Sequence, residues 1–256
     1  MKELDLLADF EAISLEEMEK VRLMNRVDTK FVASFPRIIR LLDLARKNYL
    51  VQQIDDKFNM PYYTCYFDTP DNDMYYQHQR GKKTREKIRI RKYENSPTPP
   101  FLEIKRKNNK GRTRKKRILM ESGLLVSDYP EFISEKSSYG DAILLPKIEN
   151  HFFRVTLVNK NLSERITIDT DVNFHNLYND FSLSLPQIAI IELKRDGLAE
   201  KSEMISILRH LQIHQQGFSK YCMGMAMTDP ALKQNRVKKR IRALDKIIAL
   251  DKIIAY

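Results

Sequence analysis

The stretch KIRIR at residues 87–91 alternates cationic and aliphatic side chains at a period of two. Successive side chains of a strand point to opposite faces, so this stretch predicts a strand with one charged face and one aliphatic face. FLEIK at residues 101–105 and IIELK at residues 190–194 repeat the pattern and set a glutamate beside a lysine. Cations with a neighbouring carboxylate favour a face that meets a polyanion together with its metal ion.

The overall composition points to the same class of partner. The chain has 256 residues, of which 42% are hydrophobic, and a net charge of +11. This charge favours anionic partners such as nucleic acid, an anionic membrane surface or phosphorylated molecules. The two cysteines form no close-spaced metal or redox motif, and neither a signal peptide nor an apolar run of about 20 residues is present. We therefore expect a cytoplasmic protein.

Hydrophobic periodicity predicts an α+β fold in which strands dominate. Strands are predicted near residues 28–33, 63–68, 86–93, 101–107, 113–120, 151–158, 164–170 and 188–194, and helices near 14–24, 36–47, in 125–149 and near 200–210. We expect a single domain over residues 1–228, followed by a basic helical tail at 229–256. The tail repeats ALDKII at 243–248 and 249–254. It is interpreted as a terminal helix docked on the body, with a partner-binding helix as the alternative.

The charged strand faces constrain how the sheet is packed. Burying several like charges in a dry core would be prohibitive, so these faces must meet water or a ligand. An antiparallel eight-stranded β-barrel with the charged faces inward would form a wet basic tunnel, and helices would cover its aliphatic outside. Phosphate suits such a tunnel, since arginine binds it through two parallel hydrogen bonds and lysine supplies a compact charge. Glutamates among the cations would hold a divalent ion that bridges phosphate oxygens.

An ordered series of motifs resembles one known family. The series is RVDTKF at 26–31, YFDTPD at 66–71, then His78, Gly81 and Arg85, followed by KIRIRKY at 87–93, FLEIK at 101–105, ERITIDT at 164–170, IELK at 191–194 and SKY at 219–221. It resembles the VTC domain, the polyphosphate polymerase domain of the triphosphate tunnel metalloenzymes. The resemblance implies an eight-stranded tunnel that binds triphosphate. It also implies transfer of the γ-phosphate of ATP to a growing polyphosphate chain with Mn²⁺ or Mg²⁺.

The resemblance also assigns residues to roles. The cations that would line the tunnel and contact phosphate are Lys30, Arg89, Arg91, Lys105, Arg154, Arg165, Lys194 and Lys220. Catalysis is expected to depend on Arg89, Arg91, Lys105, Arg165 and Lys220. Glu192 matches the metal-binding glutamate of the family, and Glu103 is added as a second metal ligand by strand parity. The run RKKR at 114–117 has cations on both faces; we choose Lys116, with Arg114 second, as phosphate-binding.

Other readings of the same residues remain open. Arg89 and Arg91 could belong to a solvated strand face, and both glutamates could simply pair with neighbouring lysines. A triphosphatase acting on inorganic or nucleoside triphosphate would use the same tunnel with water as the acceptor. A non-catalytic protein that binds polyphosphate or nucleotide is a third class. No recognisable nucleic-acid motif is present, and the sequence leaves open a separate membrane-protein partner.

Overall fold

The computed structural model describes residues 2–19, 26–94, 96–110, 112–121, 125–196 and 202–254. The strands are β1 Ala12–Ile13, β2 Arg26–Ser34, β3 Tyr49–Gln52, β4 Asn59–Asp68, β5 Arg85–Tyr93, β6 Phe101–Lys107, β7 Thr113–Leu119, β8 Leu145–Asn159, β9 Glu164–Asn176, β10 Ser182–Leu185 and β11 Ile188–Asp196. The α-helices are α1 Leu15–Glu19, α2 Phe35–Ala45, α3 Asp73–Gln79, α4 Pro130–Lys136, α5 Glu203–His210, α6 Lys220–Thr228 and α7 Asn235–Ile254. None of these helices combines the length and the apolarity needed to cross a membrane.

One curled sheet organises the chain. Its eight principal strands follow the order β2-β11-β9-β8-β4-β5-β6-β7, and every ladder along this path is antiparallel. Within the described residues, β2 and β7 at the two ends are not paired to each other, so the sheet is a half-barrel. The predicted α+β architecture, with an antiparallel sheet and helices outside it, is confirmed.

The convex face of the half-barrel is covered by helices because the aliphatic side chains of the alternating strands point there. Ile191 and Leu193 of β11 lie in one buried cluster with α2 and α5. The apolar stripe of α2 is fully buried, as the 3.6-residue period predicted. Between β5 and β6, Ile88 and Ile104 belong to a second cluster that includes Ile133 of α4.

Several predicted boundaries differ from the structure. The helix predicted at 14–24 is observed as α1, and residues 20–24 lie outside the described part. The region 125–149 holds only α4 and a 3-10 turn at Val126–Asp128, because β8 already begins at Leu145. β1, β3, β10 and α6 have no counterpart among the predicted elements.

Two late helices lie against the concave side of the sheet. Tyr221 of α6 stacks on Tyr66 of β4 with ring centroids 5.3 Å apart. A Cβ added at Gly224 would lie 2.7 Å from side-chain carbons of Ile148 and Phe174, so only glycine allows this close approach. α7 packs against α6, β2 and β11. Val237 and Leu244 of α7 are buried in the same cluster as Tyr221 of α6, so the helix packs on the body through these residues.

Candidate active site

The register of the ladders gathers the charged side chains on the concave face. Direct partners share a face, and the pairs Lys30 with Glu192, Lys194 with Arg165, Arg154 with Asp169, and Arg89 with Glu103 come from six strands. The cations of this concave site are Lys30, Lys87, Arg89, Arg91, Lys105, Lys115, Arg154, Arg165, Lys194 and, from α6, Lys220. Its carboxylates are Glu103, Asp169, Glu192 and Asp28, which lies opposite Lys194. The ten cations outnumber these four carboxylates more than twofold.

The choice of face on β7 was wrong. Lys116 lies opposite Ile104 and Arg114 opposite Arg106, so both side chains point away from the concave site. Lys115 takes the inner position instead, opposite Lys105. The reason is the parity of the β6–β7 hairpin, which sets the register and which a run with cations on both faces cannot reveal.

Glu103 holds the cations of β5 and β7 in place. It is 1% exposed, and its Oε2 accepts hydrogen bonds from Arg89 Nε at 2.8 Å and Nη2 at 2.5 Å. Its Oε1 pairs with Lys115 Nζ at 3.0 Å. Burial raises the pKa of Glu103, but Arg89, Arg91 and Lys115 outweigh burial and hold it below its usual range. Both oxygens are thus committed to neighbouring cations.

Asp169 holds Arg154 and Lys220 in place on the other side of the site. Arg154 donates to it through Nε at 2.6 Å and Nη2 at 2.9 Å, and Lys220 donates to its Oδ2. The Lys220 ammonium also lies 4.0 Å from the centroid of the Phe152 ring. Burial, assisted by Arg154 and Lys30, lowers the pKa of Lys220 to about 7 although Asp169 opposes the shift. Lys220 is therefore a group whose charge responds to pH near neutrality.

Glu192 is more accessible than Glu103 and Asp169. Its Oε2 lies 2.9 Å from Lys194 Nζ and its Oε1 3.5 Å from Lys30 Nζ. The side chain is 21% exposed. Burial raises the pKa of Glu192, but Lys30 and Lys194 outweigh burial, so the carboxylate is ionised at neutral pH.

Arg91 and Lys105 carry charge that no neighbouring carboxylate balances directly. Within the described part of the chain, neither has a carboxylate at ion-pair distance. Burial and the neighbouring Arg89 and Arg154 lower the pKa of Arg91 to about 10. The pKa of Lys105 falls well below its usual range, first because of Arg89 and then because of burial. A buried, mutually repelling set of cations is stabilised by an anion, and a polyanion would contact several of them at once.

The carboxylates fit a divalent ion only in part. Among the described residues, no three His, Cys, Asp or Glu side chains come close enough together to hold a metal. Glu103 and Asp169 are occupied by arginine, whereas Glu192 is partly exposed beside two lysines. An Mg²⁺-like ion is commonly held by one or two carboxylates, with substrate phosphates and water as the other ligands. Glu192 suits that role, and the surroundings of Glu103 suit it less well.

The other cations predicted for phosphate all lie on the concave site. The sequence analysis did not assign Lys87, Lys115 or Asp169 to the site. Lys87 could have been found, because it shares the parity of Arg89 and Arg91; its Nζ donates to Ser219 Oγ at 2.7 Å. Asp169 shares the parity of Arg165 on β9, but its pairing with Arg154 and Lys220 depends on contacts between distant segments.

Comparison with known proteins gives the family. No curated protein matches the chain. Its fold is similar to that of a solved Hippeastrum protein described as a putative adenylyl cyclase with a dominant triphosphatase activity, at 15% identity and a TM-score of 0.45, covering 80% of this chain and 97% of that one. A chain of the Schizosaccharomyces pombe Mediator head module is similar at 8% identity and a TM-score of 0.38, covering 73% and 90%. A family model described as the VTC domain matches residues 25–228, and the chain therefore belongs to the VTC domain family.

Proposed function

We propose that the protein is a divalent-metal-dependent phosphotransferase that binds ATP or triphosphate in the concave site and polymerises inorganic polyphosphate from the γ-phosphate of ATP. The observation that carries the proposal is the excess of cations on the concave face, above all the buried Arg91 and the partly buried Lys105. Membership of the VTC domain family supports it. We assign this chemistry to residues 1–228 and treat residues 229–256 as an addition to it.

The side chains of the site have distinct roles in this proposal. Arg89 is held by Glu103 and Arg154 by Asp169, so both guanidinium planes are oriented before substrate binds. Arg91, Lys105 and Arg165 would neutralise the phosphate oxygens. Phosphoryl transfer depends mainly on such positioning and charge neutralisation, and it needs no nucleophilic side chain. The proposed mechanism therefore requires positioned cations, which the concave site contains, and no nucleophilic side chain.

Lys220 would add a positive charge whose extent depends on whether phosphate is bound. With a pKa of about 7, it is partly neutral at physiological pH, and a nearby phosphate would raise that pKa. The ammonium would then be more fully populated when substrate is bound than in the free protein. This behaviour would favour the anionic transition state over the free site.

A divalent ion would be held by Glu192 together with phosphate oxygens, and when bound it would neutralise charge on the transferring phosphoryl group. Glu103, the second predicted ligand, would act instead by orienting Arg89 and Lys115. The two carboxylates would thus have different functions, which a metal titration of single variants can separate.

The proposal is tested by incubating the pure protein with ATP and Mn²⁺ and resolving the products on a gel. Long phosphate chains would support the polymerase. The variant R91Q/K105Q should bind tripolyphosphate at least about a hundredfold more weakly, because each charge-assisted hydrogen bond contributes about 1.5–3 kcal/mol. The matched control is R114Q/K116Q, which removes the same charge from the opposite face of the same sheet and should bind within about twofold of wild type. Equal weakening by both variants would refute the concave site.

Hydrolysis of inorganic or nucleoside triphosphate is the second candidate. It is favoured by the partial exposure of Lys30 and Glu192, at 37% and 21%, which lets water reach that part of the site. Release of orthophosphate from ATP or tripolyphosphate without chain growth would establish it. Tight binding with neither product would leave a non-catalytic polyphosphate-binding protein.

A further inference from the structure

A second group of cations lies where α3 and α7 meet the beginning of β5. Arg85 is two residues before Lys87 and therefore shares the parity of the concave cations of that strand. Arg236 and Arg240 come from α7, which lies beyond the segment matched by the family model. They are four residues apart and so project from one side of the helix.

The two α7 arginines are fitted closely against glycines of the body. A Cβ added at Gly81 would overlap the guanidinium of Arg236, whose Cζ would lie only 2.9 Å away. A Cβ added at Gly217 would lie 3.3 Å from Arg240 Nη2. The backbone N–H of Arg236 also donates to Gln79 Oε1 at 3.2 Å. Both guanidinium groups are therefore placed by the fold of this chain.

No carboxylate balances this group within the described residues. None lies within ion-pair distance of Arg85, Arg236 or Arg240. Arg85 Nη1 donates to the carbonyl of Lys82 at 2.8 Å. Burial lowers the pKa of Arg85, and repulsion from Arg236 and Arg240 lowers it further.

His78 of α3 is buried among these cations. It is 8% exposed, and neither ring nitrogen has a hydrogen-bond partner in the described structure. Burial, together with Lys87, Arg85, Arg240 and Arg236, lowers the pKa of His78 to about 3. Its imidazole is therefore neutral and keeps one N–H available to donate to an anion.

The second group continues the concave site in one direction. Arg91, Arg89, Lys87 and Arg85 follow one another at alternate positions of β5, and the six residue steps from Arg85 to Arg91 span about 20 Å. The α7 arginines lie near Arg85, at the end of this row, where their charges lower its pKa. A linear polyanion that begins among Arg89 and Arg91 would meet them if it were long enough.

We propose that Arg85, Arg236, Arg240 and His78 form a distal subsite that binds the far phosphates of a linear polyphosphate chain, while the concave site holds its near end. The proposal rests on the proposed function, because it takes phosphate as the ligand of the concave site. It makes α7 part of the binding surface for long chains. It also predicts that the protein discriminates between polyphosphates by length.

The experiment compares two double variants of the full chain. R236Q/R240Q removes the distal guanidinium groups, and K238Q/K239Q removes the same charge from exposed positions between them. Affinities for tripolyphosphate and for a long linear polyphosphate are measured by calorimetry over a range of salt concentrations. Melting temperatures of all proteins confirm that they are folded.

We expect R236Q/R240Q to bind the long chain at least about tenfold more weakly and to lower the slope of log K against log salt by about one to two, as when phosphate contacts are lost from nucleic acid. Its affinity for tripolyphosphate should stay within about twofold of wild type, and K238Q/K239Q should match wild type with both ligands. If both variants bound the long chain equally weakly, the affinity would reflect non-specific attraction to the net charge of α7, and the subsite would be overturned. Unchanged long-chain affinity in R236Q/R240Q would also overturn it. Failure of wild type to bind tripolyphosphate would refute the proposed function itself, a distinct result.

Discussion

The substitution Glu103→Gln isolates one buried carboxylate that holds two cations. It keeps the size of the side chain and one oxygen acceptor, but it removes the charge that Arg89 and Lys115 share. Breaking a buried ion pair by removing one partner costs about 3–5 kcal/mol. For a protein of this size, about 1 kcal/mol shifts the melting temperature by about 2–4 °C. We therefore expect Glu103→Gln to melt about 6–20 °C below wild type at pH 7.

The pH dependence of this effect has a definite sign. The folded-state pKa of Glu103 is depressed, so its contribution to stability is fully present above the unfolded pKa of about 4.3. The contribution is lost as pH falls through the folded-state value. The melting difference between wild type and variant should accordingly be greatest near neutral pH and shrink in acid.

Calorimetry with and without tripolyphosphate completes the assay. A polyanion supplies the negative charge that the variant lacks, so the rise in melting temperature on adding tripolyphosphate should be larger for Glu103→Gln than for wild type. Glu135→Gln is the control, because Glu135 is 65% exposed beside Lys136, and its melting temperature should not change. A variant that melts within about 2 °C of wild type, or one that tripolyphosphate does not rescue, would refute this account of the concave site.

Three further predictions concern metal binding, the protonation of Lys220 and the packing of α6. Glu192→Gln should weaken Mn²⁺ binding to the tripolyphosphate complex by more than about tenfold, whereas Glu103→Gln should leave it within about twofold; paramagnetic resonance of Mn²⁺ measures both. Tripolyphosphate affinity should fall as pH rises above about 7, by at most about tenfold per pH unit, because Lys220 loses its proton in the free protein, and Lys220→Arg should flatten this profile. A profile unchanged by Lys220→Arg would assign the titration to another group. Gly224→Ala should destabilise the fold by about 1–3 kcal/mol in a denaturant titration, since its Cβ would press on Ile148 and Phe174; an unchanged midpoint would show that α6 can shift freely.

Much of the charged face could be predicted from local sequence. In 87–91 and 191–194, aliphatic and charged residues alternate, so parity alone placed Arg89 and Glu192 on the same kind of face as the structure does. The run 114–117 has cations on both parities, and its face depends on the hairpin before it. That information lies in the register, which the sequence of the strand does not contain.

The parts that could not be predicted depend on contacts between distant segments. α6 was missed because most of its residues are buried all round, so it has no polar face and no helical stripe. Glu103 was assigned to metal because parity gives the face of a carboxylate but not its partners. Its commitment to Arg89 and Lys115 follows only from three strands lying side by side.

The pairing of β2 with β11 has a consequence for how the protein becomes active. Lys30 lies near the start of the chain, and its partner Glu192 comes 162 residues later, with Lys220 later still. Contacts this far apart in sequence require large loops to close and make folding slow. On the ribosome, no partial chain ending before β11 could bring Lys30 beside the cations of β9, because β11 lies between β2 and β9. Affinity for phosphate would thus arise late in synthesis, and recovery of phosphate binding would be a direct measure of complete folding.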